Sequence, residues 1–338
     1  MAVTQAETIR VAPSEGGMRL DRWFKARYPA LGHVALQKLL RTGQVRVDGR
    51  RVKAAARTIA GQRVRVPPLG PGKTIVRRHM PGPYDAQKVR SWIVHQDDEV
   101  IVLNKPAGLA VQGGAKTAHH LDGMLDALAF GAERPRLVHR LDRDTGGVLV
   151  LARNRQAAIA LGSSFKSRKV VKVYWALVRG APKPHRGRID LPLAPSGHGG
   201  SRRMAPARLD NADAQDALTH YRTIAAAGAK VAWVALYPKT GRKHQLRAHM
   251  SAIGHPVLGD GKYGGQSAFI ADDLARRVHL YARALRIPHP AGGTLEAVAE
   301  LCDHMRESFA YFDFSPEDAA EPFGIQSGLH SNRTTIPL

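Results

Sequence analysis

Eleven residues, Leu137-Val138-His139-Arg140-Leu141-Asp142-Arg143-Asp144-Thr145-Gly146-Gly147, set four charges and a histidine directly ahead of the apolar run Val148-Leu149-Val150-Leu151. No other stretch of the chain restricts the fold as tightly. The apolar run reads as a buried strand, and the glycine pair permits a tight turn into it. With 139–142 extended, Arg140 and Asp142 project to one side and Leu141 into the core. A carboxylate held among guanidinium groups stays ionised near neutrality and can act as nucleophile or base. An aspartate that caps a turn with an arginine as its ion-pair partner accounts for the same residues.

The strands around this block do not alternate regularly with helices. Trp92–His95 and Val100–Leu103 flank the acidic turn Asp97-Asp98-Glu99 as a hairpin. Val148–Ala152, Val170–Val178 and Val231–Tyr237 read as further strands, and the segment after Thr240 as a helix. The fold class expected is α+β with a mixed, largely antiparallel sheet. In the strand around 171–177, Val171, Val173, Trp175 and Leu177 share one face and Lys172 and Tyr174 the other. A tyrosine beside lysines suits stacking on an unstacked base, although a half-buried strand tyrosine is the commoner case. After Thr240, a candidate N-cap, Leu246, Met250 and Ile253 form a buried stripe that stops at Gly254. His244 and Arg247 then share the opposite face, and Arg247 can reach a carboxylate from another strand, or simply be solvated. Gly259-Asp260-Gly261-Lys262-Tyr263-Gly264 fits the spacing of a dinucleotide-binding loop but lacks the preceding strand, and Gly72-Lys73-Thr74 lacks the earlier glycine of a phosphate loop.

Charge narrows the partner. Of 338 residues, 51 are Lys or Arg and 28 Asp or Glu, and residues 1–66 alone hold 14 of the former against 4 of the latter. Such a surplus favours a polyanion, because each phosphate neutralised releases condensed counterions; codon bias toward Arg and Ala is the competing explanation. The basic segment reads as two short helices, Met18–Tyr28 ended by Pro29 and His33–Arg41 ended by Gly43, followed by a hairpin over Gln44–Val52 around Asp48-Gly49. Residues 1–13 read as a loose tail, 14–67 as the basic module, 68–91 as a linker around Pro67-Pro68-Leu69-Gly70-Pro71-Gly72, 92–312 as the main domain and 313–338 as a loose extension. One cysteine, Cys302, excludes an internal disulfide framework and a multi-cysteine zinc site. No apolar run reaches the roughly 18–20 residues of a membrane span. Met1–Gly17 lacks a basic leader and an apolar core, and Glu7 and Glu15 argue against a mitochondrial presequence, so the expected compartment is the cytoplasm.

Together these blocks resemble the large-subunit ribosomal RNA pseudouridine synthases of the RluA/RluC/RluD type. The resemblance is carried by His139-Arg140-Leu141-Asp142 with Thr145-Gly146, by Lys172-x-Tyr174, and by Thr240-Gly241-Arg242-x-His244-Gln245-Leu246-Arg247. Gly254-His255-Pro256 with Gly259-Asp260, His279-Leu280, His289-Pro290 and Asn104-Lys105-Pro106-Ala107-Gly108 extend it, and residues 18–66 resemble an S4-type RNA-binding module. The resemblance implies a pseudouridine synthase fold with a central cleft behind a small S4-like module. It implies isomerisation of specific uridines in structured RNA, most naturally 23S-type large-subunit ribosomal RNA, by base flipping. It casts Asp142 as the essential aspartate, Arg140 as the arginine that enters the RNA stack, Tyr174 as the ring on the uracil, and Arg247 as the partner of the aspartate. No cofactor, metal or membrane is implied, and the chain is expected to act as a monomer. Two positions depart from the family's pattern: Gly146-Gly147 replaces Ser-Gly, which implies a looser turn, and Gln112 stands where a histidine is frequent. Two other functions compete. One is an inactive S4-bearing RNA-binding or ribosome-assembly factor; the other is an RNA hydrolase using Asp142 with His139 or His244.

Overall fold

Val64 and Val66 are fully buried while Arg63 and Arg65 face water, the period of two that makes a strand with one wet face. That strand is the centre of a small sheet in the first of two units, residues 1–78 and 79–338, in this computed structural model. The structure describes residues 5–29, 31–69, 83–113, 117, 119–197, 203–208, 210–319 and 323.

In the first unit, β1 (Glu7–Arg10), α1 (Leu20–Arg27), α2 (His33–Arg41), β2 (Arg46–Val47) and β3 (Arg63–Val66) follow in order, and the sheet runs β1-β3-β2. Leu20, Trp23 and Phe24 of α1 meet Leu36 and Leu40 of α2 over Val47, Val64 and Val66. Two expectations change here. Glu7–Arg10 is a strand paired with β3 rather than part of a loose tail, and the Tyr28 hydroxyl donates to the Glu7 carboxylate at 2.5 Å. Four residues alternate too briefly to announce a strand, and only the edge of β3 gives them a partner. The Asp48-Gly49 turn forms, with both residues at positive φ and Val47 and Arg50 exchanging backbone hydrogen bonds of 3.1 and 2.9 Å. The ladder of β2, however, is made with β3, not with the residues after the turn.

The second unit begins, among the described residues, with α3 (Pro83–Arg90), so the expected linker is helical at its end; Val89 is buried against the 3₁₀ helix Leu121–Leu128. The Gly72-Lys73-Thr74 segment lies outside the described residues. Then come β4 (Ile93–Gln96), β5 (Val100–Lys105), β6 (Arg136–Leu137), β7 (Gly146–Ala152), α4 (Arg155–Lys166), β8 (Val171–Arg179), β9 (Arg186–Asp190), β10 (Leu193–Ser196) and β11 (Arg203–Pro206). The chain continues through β12 (Leu218–Ala227), β13 (Val231–Pro238), α5 (Gln245–Ala252), β14 (Leu280–Pro288), β15 (Thr294–Val298) and α6 (Asp303–Tyr311). The main sheet runs β4-β5-β7-β14-β8-β13-β12-β9, with β15 beside β14 and β6 beside β7. Every described pairing in it is antiparallel except β7 with β14. The fold is therefore α+β, as the irregular alternation of elements predicts.

The two faces of this sheet are packed differently. One carries a continuous core in which Val150, Val173, Trp175 and Trp233 meet Leu161 of α4 and Met305 and Phe309 of α6. The other is divided. Ile101, Leu103, Leu149 and Leu151 pack under the 3₁₀ helix, whereas Ala176, Val178, Val234 and Leu236 pack under Leu246 and Met250 of α5. Tyr174 touches both clusters from the divide. Past α6, Phe314 and Ala319 join the continuous core and Phe323 packs on it, so the start of the expected loose extension is docked; residues 324–338 lie outside the described set. No helix among the described residues is long and apolar enough to cross a membrane.

Candidate active site

A cleft of about 200 Å³ opens at the divide between the two packed clusters, and Arg140, Asp142, Tyr174 and Arg247 all line it. Lys172, Arg242, Lys243 and His244 add to its polar wall, and Asp142 is the sole acid among its lining residues.

Asp142 sits on a laced loop. The Thr145 N–H closes the turn onto the Asp142 carbonyl at 3.2 Å, and the apolar strand β7 starts at once behind it. Lys105, fully buried, donates its ammonium to the carbonyls of Pro106 and Leu109 at 2.8 Å each and of Arg143 at 3.3 Å. The Gly108 N–H also donates to the Arg143 carbonyl at 2.9 Å. Burial pushes the Lys105 pKa down to about 8, against the opposing pull of Asp144 and Asp142. Loop 106–109 and loop 142–145 are thereby one rigid piece. The glycines tighten it further: a Cβ on Gly146 would stand 2.8 Å from the Tyr281 ring and 2.9 Å from the Lys105 carbonyl oxygen. Gly147, at φ +107°, leaves no space at all, since its Cβ would lie 2.1 Å from the Ala282 carbonyl oxygen. The turn is tight here, contrary to the looser geometry expected where Gly146 replaces a serine.

His139 faces away from the chemistry. Its Nε2 accepts the Val150 N–H at 2.9 Å and its ring stacks on Phe165 at 4.5 Å. Burial, with Lys172 nearby, pushes its pKa down to about 3, so it stays neutral near pH 7. Arg140, two residues before Asp142, is exposed at the mouth of the cleft. Tyr174 comes up half-buried from β8, with Ala282 and Leu236 as its neighbours across the sheet. Burial and the Asp142 charge both raise its hydroxyl pKa, which keeps the ring neutral.

Arg247 is placed differently from the expectation. It is the buried partner of Asp260, with Nε and Nη2 donating to the two carboxylate oxygens at 2.6 and 2.7 Å. Burial works against its charge, and the Asp260 bonds, with a smaller contribution from Asp142, outweigh it. The ring of Tyr263 lies 5.0 Å from its guanidinium. Asp260 accepts, besides, the N–H groups of Lys262 and Tyr263 at 3.2 Å each. Arg247 thus faces the cleft as a cation held by Asp260 rather than as a direct ion-pair partner of Asp142. The side chain that does approach Asp142 is His244, whose Nε2 lies 3.9 Å from Oδ1 while Nδ1 meets the Tyr263 hydroxyl at 2.9 Å.

His244 is set by the start of α5. The helix begins at Gln245, five residues after Thr240, because His244 adopts a left-handed conformation at φ 51°. Thr240 is therefore no N-cap. Its hydroxyl donates to Gln245 Oε1 at 2.7 Å and accepts the Leu218 N–H at 2.9 Å. Gln245 also accepts the Arg242 N–H and donates to the Leu218 carbonyl, each at 3.0 Å, which pins the basic loop 240–244 to β12. Lys105, Asp260 and Tyr263 had no site role from sequence, and His244 had one only in the competing hydrolase. The pair Asp260-x-x-Tyr263 was visible only within a nucleotide-loop spacing that lacks its strand; an aspartate opening a tight turn was the available signal. Gln112 is exposed and lines none of the described cleft.

Known proteins give the geometry a context. Residues 99–252 match the RNA pseudouridylate synthase family. The ribosomal large subunit pseudouridine synthase C of Vibrio cholerae is 32% identical over 313 residues, covering 90% of this chain and 96% of that protein. Its counterpart from Escherichia coli K12 is 31% identical over 299 residues, 87% and 92% of the two chains. Among solved structures, human RNA pseudouridylate synthase domain containing 4 superposes with a TM-score of 0.56 at 31% identity, over 68% of this chain and 95% of that one.

Proposed function

Because the chain belongs to the RNA pseudouridylate synthase family, and is thus an isomerase acting on RNA, we propose that it converts uridines of large-subunit ribosomal RNA to pseudouridine with Asp142 as the reacting carboxylate. The observation that carries this reading is a single acid among five cations, Arg140, Lys172, Arg242, Lys243 and Arg247, beside the half-buried ring of Tyr174. The names of relatives that span nearly the whole chain support the ribosomal substrate.

The reaction breaks the N1–C1′ bond, turns the uracil, and forms the C5–C1′ bond, while the C5 proton is lost and N1 regains one. Nothing is oxidised or reduced. The target leaves its stack at a cost of a few kcal/mol, which Arg140 offsets by occupying the gap from the mouth of the cleft. Tyr174 offers a ring face to the extruded base, worth about 1–3 kcal/mol in stacking. Asp142 then acts as a nucleophile on the ribose or the uracil, or as a base on a sugar proton. Arg247, immobilised by Asp260, supplies positive charge that needs no reorganisation during the reaction. The basic residues of 14–67, taken as an S4-like module, would add phosphate contacts indifferent to sequence.

Asp142→Asn tests the reading. It should abolish pseudouridine in large-subunit ribosomal RNA fragments while RNA affinity changes by no more than a few fold. Full activity in that variant removes Asp142 from the mechanism. Wild-type protein that binds these fragments without modifying them favours the inactive binding factor instead.

A further inference from the structure

Next to the Asp142 cleft, and sharing its Arg140, Lys172 and Tyr174 wall, a second cavity of about 480 Å³ opens between the end of α4 and residues 239–242. Six cations line it, Arg140, Lys166, Arg168, Lys172, Lys239 and Arg242, and its lining contains no Asp or Glu. Among the described residues, none of the six takes part in an ion pair within 4.0 Å. Their described bonds run to backbone carbonyls: Lys172 Nζ to Thr240 at 3.3 Å, and Arg242 Nε to Asp216 at 2.9 Å. Lys172 is half-buried, and burial, with Lys239 and Arg168 close by, lowers its pKa to about 8. Of the six, Lys172 and Arg242 are half-buried and the others exposed; like charges grouped without a counter-charge repel one another, and an anion among them relieves that repulsion.

We infer that this cavity is a phosphate site, in which Lys172, Lys239 and Arg168 hold the phosphodiester adjoining the uridine bound in the Asp142 cleft. The inference rests on the functional reading above and deepens it. The two cavities share a wall, so a strand that puts a nucleoside in one continues past Lys172 into the other. A phosphodiester carries charge on every residue of that strand, which matches a cavity whose charged lining is all positive. Arg168 is fixed at the turn after α4 in a left-handed conformation, φ 58°, and Lys239 follows directly on β13. Two ligands therefore sit on short connections to the core.

The test uses the full-length protein and a short RNA that it modifies. Methylphosphonate, which removes the charge, replaces one phosphate at a time on either side of the target uridine. At one position the wild type should lose about tenfold in affinity, and the same replacement should cost Lys239→Gln and Arg168→Asn less than about twofold. Each variant should also lower the slope of log affinity against log salt by about 0.7, the value for one phosphate on a single strand. Both side chains are exposed, and Asn tolerates the left-handed backbone, so folding is preserved. Equal methylphosphonate penalties in wild type and variants at every flanking position overturn the phosphate site while the functional reading stands. Absence of turnover by the wild type on any large-subunit ribosomal RNA fragment overturns the reading itself, and the site with it.

Discussion

Asp260 and Arg247 are 0% and 5% exposed at their side chains, so each would be a stranded charge without the other. Two charge-assisted hydrogen bonds and the two backbone N–H groups on Asp260 compensate their removal from water. Asp260→Asn should therefore lower the unfolding free energy by about 3–5 kcal/mol, seen as a lower urea midpoint at unchanged slope. A loss below about 1 kcal/mol would mean that the pair is not what holds the turn after α5. Helix spacing was enough to send Arg247 toward a carboxylate, because residues three and four apart share a face. It could not name Asp260, which lies 13 positions on in an irregular turn, where no period relates the two side chains. Lys105 was hidden for a related reason. A lysine in a Lys-Pro-Ala-Gly break reads as exposed, and only the folded loop brings three carbonyls around its ammonium.

At the scale of elements, α6 is held to the sheet by its aromatic face. The Phe309 ring centre lies 4.8 Å from that of Trp233 and 5.9 Å from that of Trp175, which are themselves 4.6 Å apart. Phe309→Ala should cost about 3–5 kcal/mol, measured by denaturant unfolding. A cost under about 1 kcal/mol would mean that α6 can collapse into the space. The same packing shows which elements were readable. Unbroken apolar runs announced β7 and β13, and the alternation in β8 correctly sent Trp175 to the core and Tyr174 to the opposite face. β14 escaped notice. Arg283 and Arg286 interrupt its apolar residues, and its ladder with β8 shifts register between Ala282 and Ala284, which breaks any simple alternation. The late start of α5 was equally invisible, since only the fold shows His244 in a left-handed conformation, with its ring bonded to the Tyr263 hydroxyl.

Over the whole molecule, the first unit has its own core, separate from the three that build the main sheet. With 14 Lys and Arg against 4 Asp and Glu in residues 1–66, its share of RNA binding should be mainly electrostatic. Removal of residues 1–78 should weaken binding and flatten its salt dependence by roughly 0.7–0.9 for each phosphate no longer neutralised, while pseudouridine formation persists at saturating RNA. An unchanged salt slope would assign the first unit another role. Within the second unit, β14 is the sole bridge, among the described residues, between the half-sheet that ends in β7 and the half-sheet that begins at β8. Asp142 is delivered by the first half, and Tyr174 and the basic loop by the second. A nascent chain of some 270 residues therefore already contains every charged side chain of the cleft and Tyr174, yet its halves have no common ladder among the described residues. Only once β14 has been made can they be clamped in register, so this centre is assembled after its own side chains have all been synthesised but one, Leu280.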